Sequence, residues 1–168
     1  KMRVYEKPRV AVISTGDEIV PIDQPPGPSQ IRNSNSPMMA ALLRALNCHV
    51  TDLGHVPDDP QRIEADLMLP GFDVLFVTGG MSMGQFDYVP KILQNLRYTL
   101  QIRKLKIKPG KPFVFATGGA GAEFFFGLPG NPVSALVCTL RLASRLLSRL
   151  AREPVRGRGR DDRQVPQP

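Results

Sequence analysis

The stretch FDVLFVTGG, residues 72–80, is a continuous apolar run of β-branched and large side chains that stops at paired glycines. A strand with no polar alternation has no face to offer to water, so it belongs at the centre of a mainly parallel sheet covered on both sides. That requirement calls for helices above and below the sheet. The remaining sequence supplies them. RVAVIST, residues 9–15, reads as a buried strand that hands Asp17 and Glu18 to a loop, and the prolines of PIDQPPGPSQ then break all regular structure. Ser36 and Pro37 are read as an N-cap and first-turn pair opening a helix through Met38, Met39, Leu42, Leu43 and Leu46. HVTDLGHV predicts a strand, and Asp59 followed by Pro60 predicts the start of a second helix. Residues 89–97 read as a short helix, RKLKI, PFVFA and AEFFFGL as three more strands, and Pro132 to Leu150 as one unbroken helix with Arg141, Arg145 and Arg149 on its wet face.

Strands alternating with helices predict an α/β fold, a three-layer α/β/α sandwich around a mainly parallel sheet. The 168-residue chain suits one domain over residues 1–151, followed by an Arg-, Gly- and Pro-rich tail, residues 152–168, expected to be disordered. No apolar run approaches the ~20 residues that span a bilayer, and the first residues lack the pattern of a signal peptide. A soluble protein with no membrane partner is expected. Cys48 and Cys138 each fall on an apolar helical pattern, which suits buried free thiols and a reducing, cytoplasmic setting.

The net charge of +7 is concentrated. No Asp or Glu occurs between Tyr88 and Ala122, whereas Lys91, Arg97, Arg103, Lys104, Lys106, Lys108 and Lys111 all lie there. Such a surface calls for an anionic partner. Binding single-stranded nucleic acid would need aromatic side chains interleaved with the cations, and only Tyr98 stands among them, so a small anion is favoured and no nucleic acid is expected.

In an open α/β sheet, ligands bind beyond the carboxyl ends of the strands. TGDE, TGGMSMGQFD and LPGNP each follow a predicted strand, so their chemistry should meet in one crevice. Gly79, Gly80, Ser82 and Gly84 can form a phosphate cradle of backbone amides, or merely a tight connection into a helix capped by Asp87. Neither nucleotide-binding glycine fingerprint is present. Gly130, Asn131 and Pro132 open the last helix, whose free amides at Val133 and Ser134 would suit an anion, or serve only as a cap. Asp17, Glu18, Asp58, Asp59 and Asp87 are carboxylates at strand ends and helix starts; together with phosphate oxygens they suit Mg2+, and singly each is an ordinary solvated cap. His49 and His55 are read as structural.

Taken together, VISTGDEIV, QIRNSNS, LGHVPDD, TGGMSMGQFDYV, KLKIKPGKPFVFA and FGLPGNPVSALV resemble the molybdopterin molybdenumtransferases, the family of bacterial MoeA and of gephyrin's molybdenum-insertion domain. The resemblance implies a central domain of MogA-like, molybdopterin-binding fold. It implies a reaction in which molybdate enters adenylylated molybdopterin and AMP leaves, with Mg2+ or a similar ion required. Lys104, Lys108 and Lys111 would form the pocket for molybdate or substrate phosphate, on a loop stiffened by Pro109 and Pro112. Glu18, Asp58 and Asp87 fall on functional acidic positions of the family, with Asp87 and Glu18 assigned to the metal, and Gly79, Gly80, Ser82, Gly84, Gly130, Asn131 and Ser134 to ligand binding.

Family enzymes are longer, so the chain is expected to be an excised domain or a truncated form, and the full-length protein a homo-oligomer, in the first instance a dimer. Ser29 and Arg32 stand where the family more often has Gly and an aromatic residue. A MogA-like adenylyltransferase and a noncatalytic gephyrin-like scaffold are the competing readings.

Overall fold

The computed structural model describes residues 6–80 and 88–151. Six strands make one sheet: β1 (Arg9–Thr15), β4 (His49–Val56), β5 (Val74–Thr78), β6 (Thr99–Ile102), β7 (Val114–Thr117) and β8 (Phe124–Leu128). Their order is β4-β1-β5-β8-β7-β6. The first four of that order run parallel, β7 is antiparallel to β8, and β6 is antiparallel to β7. All five residues of β5 are buried, as its unbroken apolar sequence requires of a central strand.

The pleat divides these side chains between two cores. Ala11, Ile13, Leu75, Val77 and Phe125 point to one face, where Ile63 and Leu67 of α2 (Pro60–Leu67) and Ile92 and Leu93 of α3 (Val89–Asn95) cover them. Val10, Val12, Val74, Phe76 and Phe126 point to the other. There Met39 and Leu43 of α1 (Asn35–Ala45) pack beside Ala135 and Cys138 of α4 (Pro132–Cys138) and Leu147 of α5 (Ser144–Leu150). Phe76 stacks on Phe126 with ring centroids 5.0 Å apart. The α/β/α sandwich expected from the sequence is the architecture found.

Local chemistry explains where the helices begin. Asp59 caps α2, its Oδ1 accepting the amide N–H groups of Gln61 at 2.9 Å and Arg62 at 3.5 Å, and Pro60 takes the first helical position. At α1 the expectation needs correction: Ser36 is inside the first turn and does not cap it. Its hydroxyl is drawn instead into a buried cluster, 2.8 Å from Ser14 Oγ and 3.0 Å from Asn33 Nδ2, while Asn33 Oδ1 accepts the Ser36 amide at 3.1 Å.

The segment Pro132–Leu150 is helical throughout, but α4 and α5 are joined by a π-helical turn over Thr139–Ala143. The spacing of the apolar residues explains it. Ala135, Thr139, Ala143 and Leu147 are buried at strict four-residue intervals. In a regular α-helix each such step drifts by roughly 40° around the axis. The wider turn absorbs that drift and keeps all four against the sheet, with Arg141, Arg145 and Arg149 exposed on the far side.

Three further expectations shift. RKLKI is not a strand: the edge strand is Thr99–Ile102, whose Leu100 and Ile102 are half-buried, and from Arg103 the chain folds back so that the Leu105 amide bonds to Lys111 O at 3.1 Å. Prolines and Gly110 in that stretch are incompatible with a continuing ladder. The proline-rich stretch is flanked by a short parallel pair, β2 (Ile19–Val20) and β3 (Ile31–Arg32), which closes its base. Cys48 lies between α1 and β4 rather than on a helix; both cysteine side chains are buried. Among the described residues no helix is long and apolar enough to cross a membrane. The tail, residues 152–168, lies outside the described residues.

Candidate functional site

The loops after β1, β5 and β8 meet at the carboxyl end of the sheet and enclose a cavity of about 350 Å³. Thr15, Glu18, Gly79, Asn35, Gly130 and Asn131 are in its wall. Backbone geometry makes this convergence possible at Gly79, which has φ +88°; a Cβ there would lie 2.4 Å from the carbonyl oxygen of Thr15. Only glycine lets the β5 loop pass so close to the end of β1. Its amide then donates to Leu128 O at 3.2 Å, tying the loop to β8.

Beneath the cavity the end of β1 carries a compact polar cluster. Ser14 Oγ is 3.1 Å from Asn33 Oδ1, 2.8 Å from Ser36 Oγ and 3.0 Å from Thr78 Oγ1. These hydroxyls join β1, β5, β3's exit and α1 at a single point, and mutual hydrogen bonding offsets the cost of burying them. His55 Nε2 lies 2.7 Å from Gly16 O and helps hold the turn that carries Asp17 and Glu18, the structural role expected of it.

Of the acidic positions singled out in the sequence, Glu18 is in the cavity wall. Asp58 is beside it in the electrostatic sense. Burial raises the Asp58 carboxyl above its ordinary range, and the charges of Asp17 and Glu18 raise it further. The Asp58 amide donates to Asp17 Oδ1 at 3.0 Å, and a hydrogen bond from the Asp17 backbone to the Asp58 carboxyl, with the nearby His55, partly offsets the shift. Among the described residues no group of three or more His, Cys, Asp or Glu is arranged to hold a metal ion. Asp87, Ser82 and Gly84 lie outside the described residues.

Gly130 and Asn131 are in the wall, but Ser134 is not available as a free donor. Asn131 caps α4, its Oδ1 accepting the Ser134 amide at 3.1 Å and the Ser134 hydroxyl at 3.3 Å. The expected free amide at Ser134 is therefore corrected: the cap uses it. Gly80 packs next to Thr15, close behind the wall.

The lysines occupy a different depression. Lys104, Lys108 and Lys111 line, with Leu105, Lys106 and Ile107, a more open hollow of about 490 Å³. Its position follows from strand direction. β7 is antiparallel to β8, with Val114 opposite Gly127, and Ile102 of β6 is opposite Phe115 of β7. The segment joining β6 to β7 consequently emerges at the edge of the sheet where β8 ends, beside the crevice. Gly110 backs onto α4, where a Cβ would come within 2.7 Å of Cys138 Sγ, and this contact anchors the loop against the helix layer.

Sequence reasoning did not single out Thr15, Asn35 or Arg32, all of which line the cavity. Thr15 closes an apolar strand and Asn35 sits among other small polar residues, so neither carries a charge or spacing that would draw notice. Arg32 was noted only as a departure from the family pattern. It is exposed, its Nε donates to Gln24 O at 3.2 Å, and it brings a cation into the same wall as Glu18.

Comparison with known proteins agrees with this geometry. A family described as "Probable molybdopterin binding domain" matches residues 11–149. A molybdopterin molybdenumtransferase of Nostoc is 37% identical over 153 residues, covering 89% of this chain and 35% of the relative. One from Synechocystis is 39% identical over 143 residues, covering 84% of this chain and 37% of the relative. The chain thus spans little more than a third of the length of these curated relatives. Among solved structures, the molybdopterin biosynthesis MoeA protein of Pyrococcus horikoshii superimposes with a TM-score of 0.73 at 30% identity, over 86% of this chain and 36% of that one. The MoaB enzyme of Thermus thermophilus shares the fold, with a TM-score of 0.62 at 21% identity, over 88% of this chain and 98% of its own. With a match from strand β1 to the end of α5, this chain belongs to the molybdopterin-binding domain family.

Proposed function

We propose that the chain is the molybdopterin-binding part of a molybdopterin molybdenumtransferase, which binds adenylylated molybdopterin and passes molybdate to it with release of AMP. The observation that carries this reading is the placement of two chemically different hollows on one edge of the sheet. A polar, hydrogen-bonding crevice over β1, β5 and β8, with Glu18 and Arg32 in its wall, lies beside a lysine-lined depression at the β6–β7 connection. A ligand with a heterocycle at one end and anionic groups at the other needs both. The crevice volume of about 350 Å³ falls in the range of small-molecule sites. Lys104, Lys108 and Lys111 hold the oxyanion by charge, on a loop that the two prolines order in advance.

The same reading gives a divalent ion, Mg2+ in the simplest case, a place beside the carboxylates of the β1 loop. The Asp58 carboxyl is raised first by burial and then by the charges of Asp17 and Glu18, and a cation would relieve the second of these causes. Glu18 and Asp58, with Asp87 of the glycine loop, would hold it, and when bound it offsets charge on a phosphoanhydride as the bond breaks. In the full-length protein the domain works in a cytoplasmic homodimer. Gly79, Gly80, Gly130 and Asn131 shape the ligand-facing backbone.

The test is calorimetric titration with molybdopterin and with its adenylylated form, with and without Mg2+ and molybdate. Lys108→Ala should weaken binding of the anionic ligand by about ten-fold, the scale of a lost charge-assisted hydrogen bond, and Asp87→Ala should abolish the effect of Mg2+. Binding untouched by either substitution would overturn the reading. Transfer of AMP from ATP to molybdopterin without molybdate would replace it with an adenylyltransferase.

A further inference from the structure

Two atoms in the crevice wall lack a hydrogen-bond partner among the described residues: Thr15 Oγ1 and Asn35 Oδ1. Their residues are 3% and 8% exposed, so water does not satisfy them, and both line the cavity. Buried polar atoms are almost always paired, and two orphans on one wall ask for a physical reason. Careless packing is not that reason, because the neighbouring Ser14, Asn33, Ser36 and Thr78 are mutually bonded. Nor can the Asn35 amide simply turn over. Its Nδ2 donates to Gly130 O at 2.8 Å, and reversing it would set two oxygens against each other. Asn35 Oδ1 is therefore fixed as an acceptor in search of a donor.

We propose that Thr15 and Asn35 form the seat for the nitrogen heterocycle of the ligand, Asn35 Oδ1 accepting from a ring-amide or amino N–H and the Thr15 hydroxyl bonding to the atom beside it. The inference rests on the molybdopterin-binding reading above and adds to it the orientation of the ligand. An amide oxygen repels phosphate, molybdate and thiolate alike, so the anionic end lies away from this wall. The lysine depression is on the same edge, at the strand next to β8, and adjacent strands are only ~4.8 Å apart. The ligand then runs along the edge of the sheet, heterocycle at β1 and α1, anion toward β7. Neither orphan is open to solvent, so the ligand must displace part of the wall to reach them. Only a group bringing its own hydrogen-bond donor offsets that displacement, which makes the seat selective.

Pterin and adenine rings both present an N–H donor next to an acceptor, and the experiment separates them. Wild type, Thr15→Val and Thr15→Ser of the 168-residue chain are titrated with molybdopterin and, separately, with AMP, and melted without ligand. Valine replaces an unpaired hydroxyl by a methyl group, so Thr15→Val should keep or raise Tm while weakening one probe by roughly three- to ten-fold, the loss of one hydrogen bond. Thr15→Ser should restore it, and Asn35→Ala should weaken the same probe. Weakened molybdopterin assigns the seat to the pterin, weakened AMP to the adenine. If Thr15→Val binds both probes as wild type does, or lowers Tm, the inference fails while the molybdopterin-binding reading stands. If wild type binds neither probe, that reading falls and takes the seat with it.

Discussion

Asp58 shows how one side chain reports on the site around it. Its carboxyl is raised by burial and then by the charges of Asp17 and Glu18, causes that vanish on unfolding. Between the ordinary and the raised pKa the folded chain holds a proton that the unfolded chain has lost. Stability is greatest below the ordinary value and declines as pH rises through the raised one. Asp58→Asn removes the repelled charge. In chelator-treated buffer it should raise stability at neutral pH by less than about 1 kcal/mol, the scale of partly exposed charge interactions, and flatten the decline across the acid range. Urea denaturation at several pH values reads both effects. A loss of stability at neutral pH would mean that the Asp58 carboxylate is stabilised by contacts stronger than the repulsion.

Among the elements, α2 gives the clearest account of its own beginning, since Asp59 accepts two amide N–H groups of its first turn. Asp59→Ala should cost about 1 kcal/mol, measured as a lower urea midpoint with the slope unchanged. This cap was legible in the sequence because Asp followed by Pro leaves little else for the chain to do. β1 and β5 were legible for a related reason, as their apolar runs are bounded by Gly, Pro or polar residues, and β4 was legible from the alternation in HVTDLGHV. RKLKI misled because alternating Lys and Leu or Ile mimics an edge strand, and nothing local records that Leu105 pairs with Lys111 across the loop. Ser36 misled because its partners, Ser14 and Asn33, belong to other segments. The crevice follows the same division. Its Gly79, Gly130 and Glu18 could be named in advance from loops that follow strands, whereas Thr15 and Asn35 acquire meaning only when α1 is laid against the β8–α4 loop.

Across the whole molecule, one sheet serves two hydrophobic cores, so the two are expected to melt together. Leu67→Ala beneath α2 and Leu43→Ala beneath α1 remove fully buried side chains on opposite faces. Each should cost about 2–5 kcal/mol. Both should shift a single transition, with near-ultraviolet and far-ultraviolet dichroism coinciding in denaturant. Separate transitions would show that the faces fold as independent units. Stability resides on the two faces of the sheet and, in the function proposed above, ligand chemistry along one edge, so core substitutions should lower the folded fraction before they alter affinity. The π turn at Thr139–Ala143 adds a consequence of another kind. Because it stores one surplus residue between two helical segments whose buried faces already agree, it is a place where the chain can be shortened by one without turning Leu147 away from the sheet. Anywhere else in that helix, the same deletion would rotate everything after it by about 100°. The turn is a slack link, the point at which changes in chain length can be absorbed by the last helix without being felt by the core.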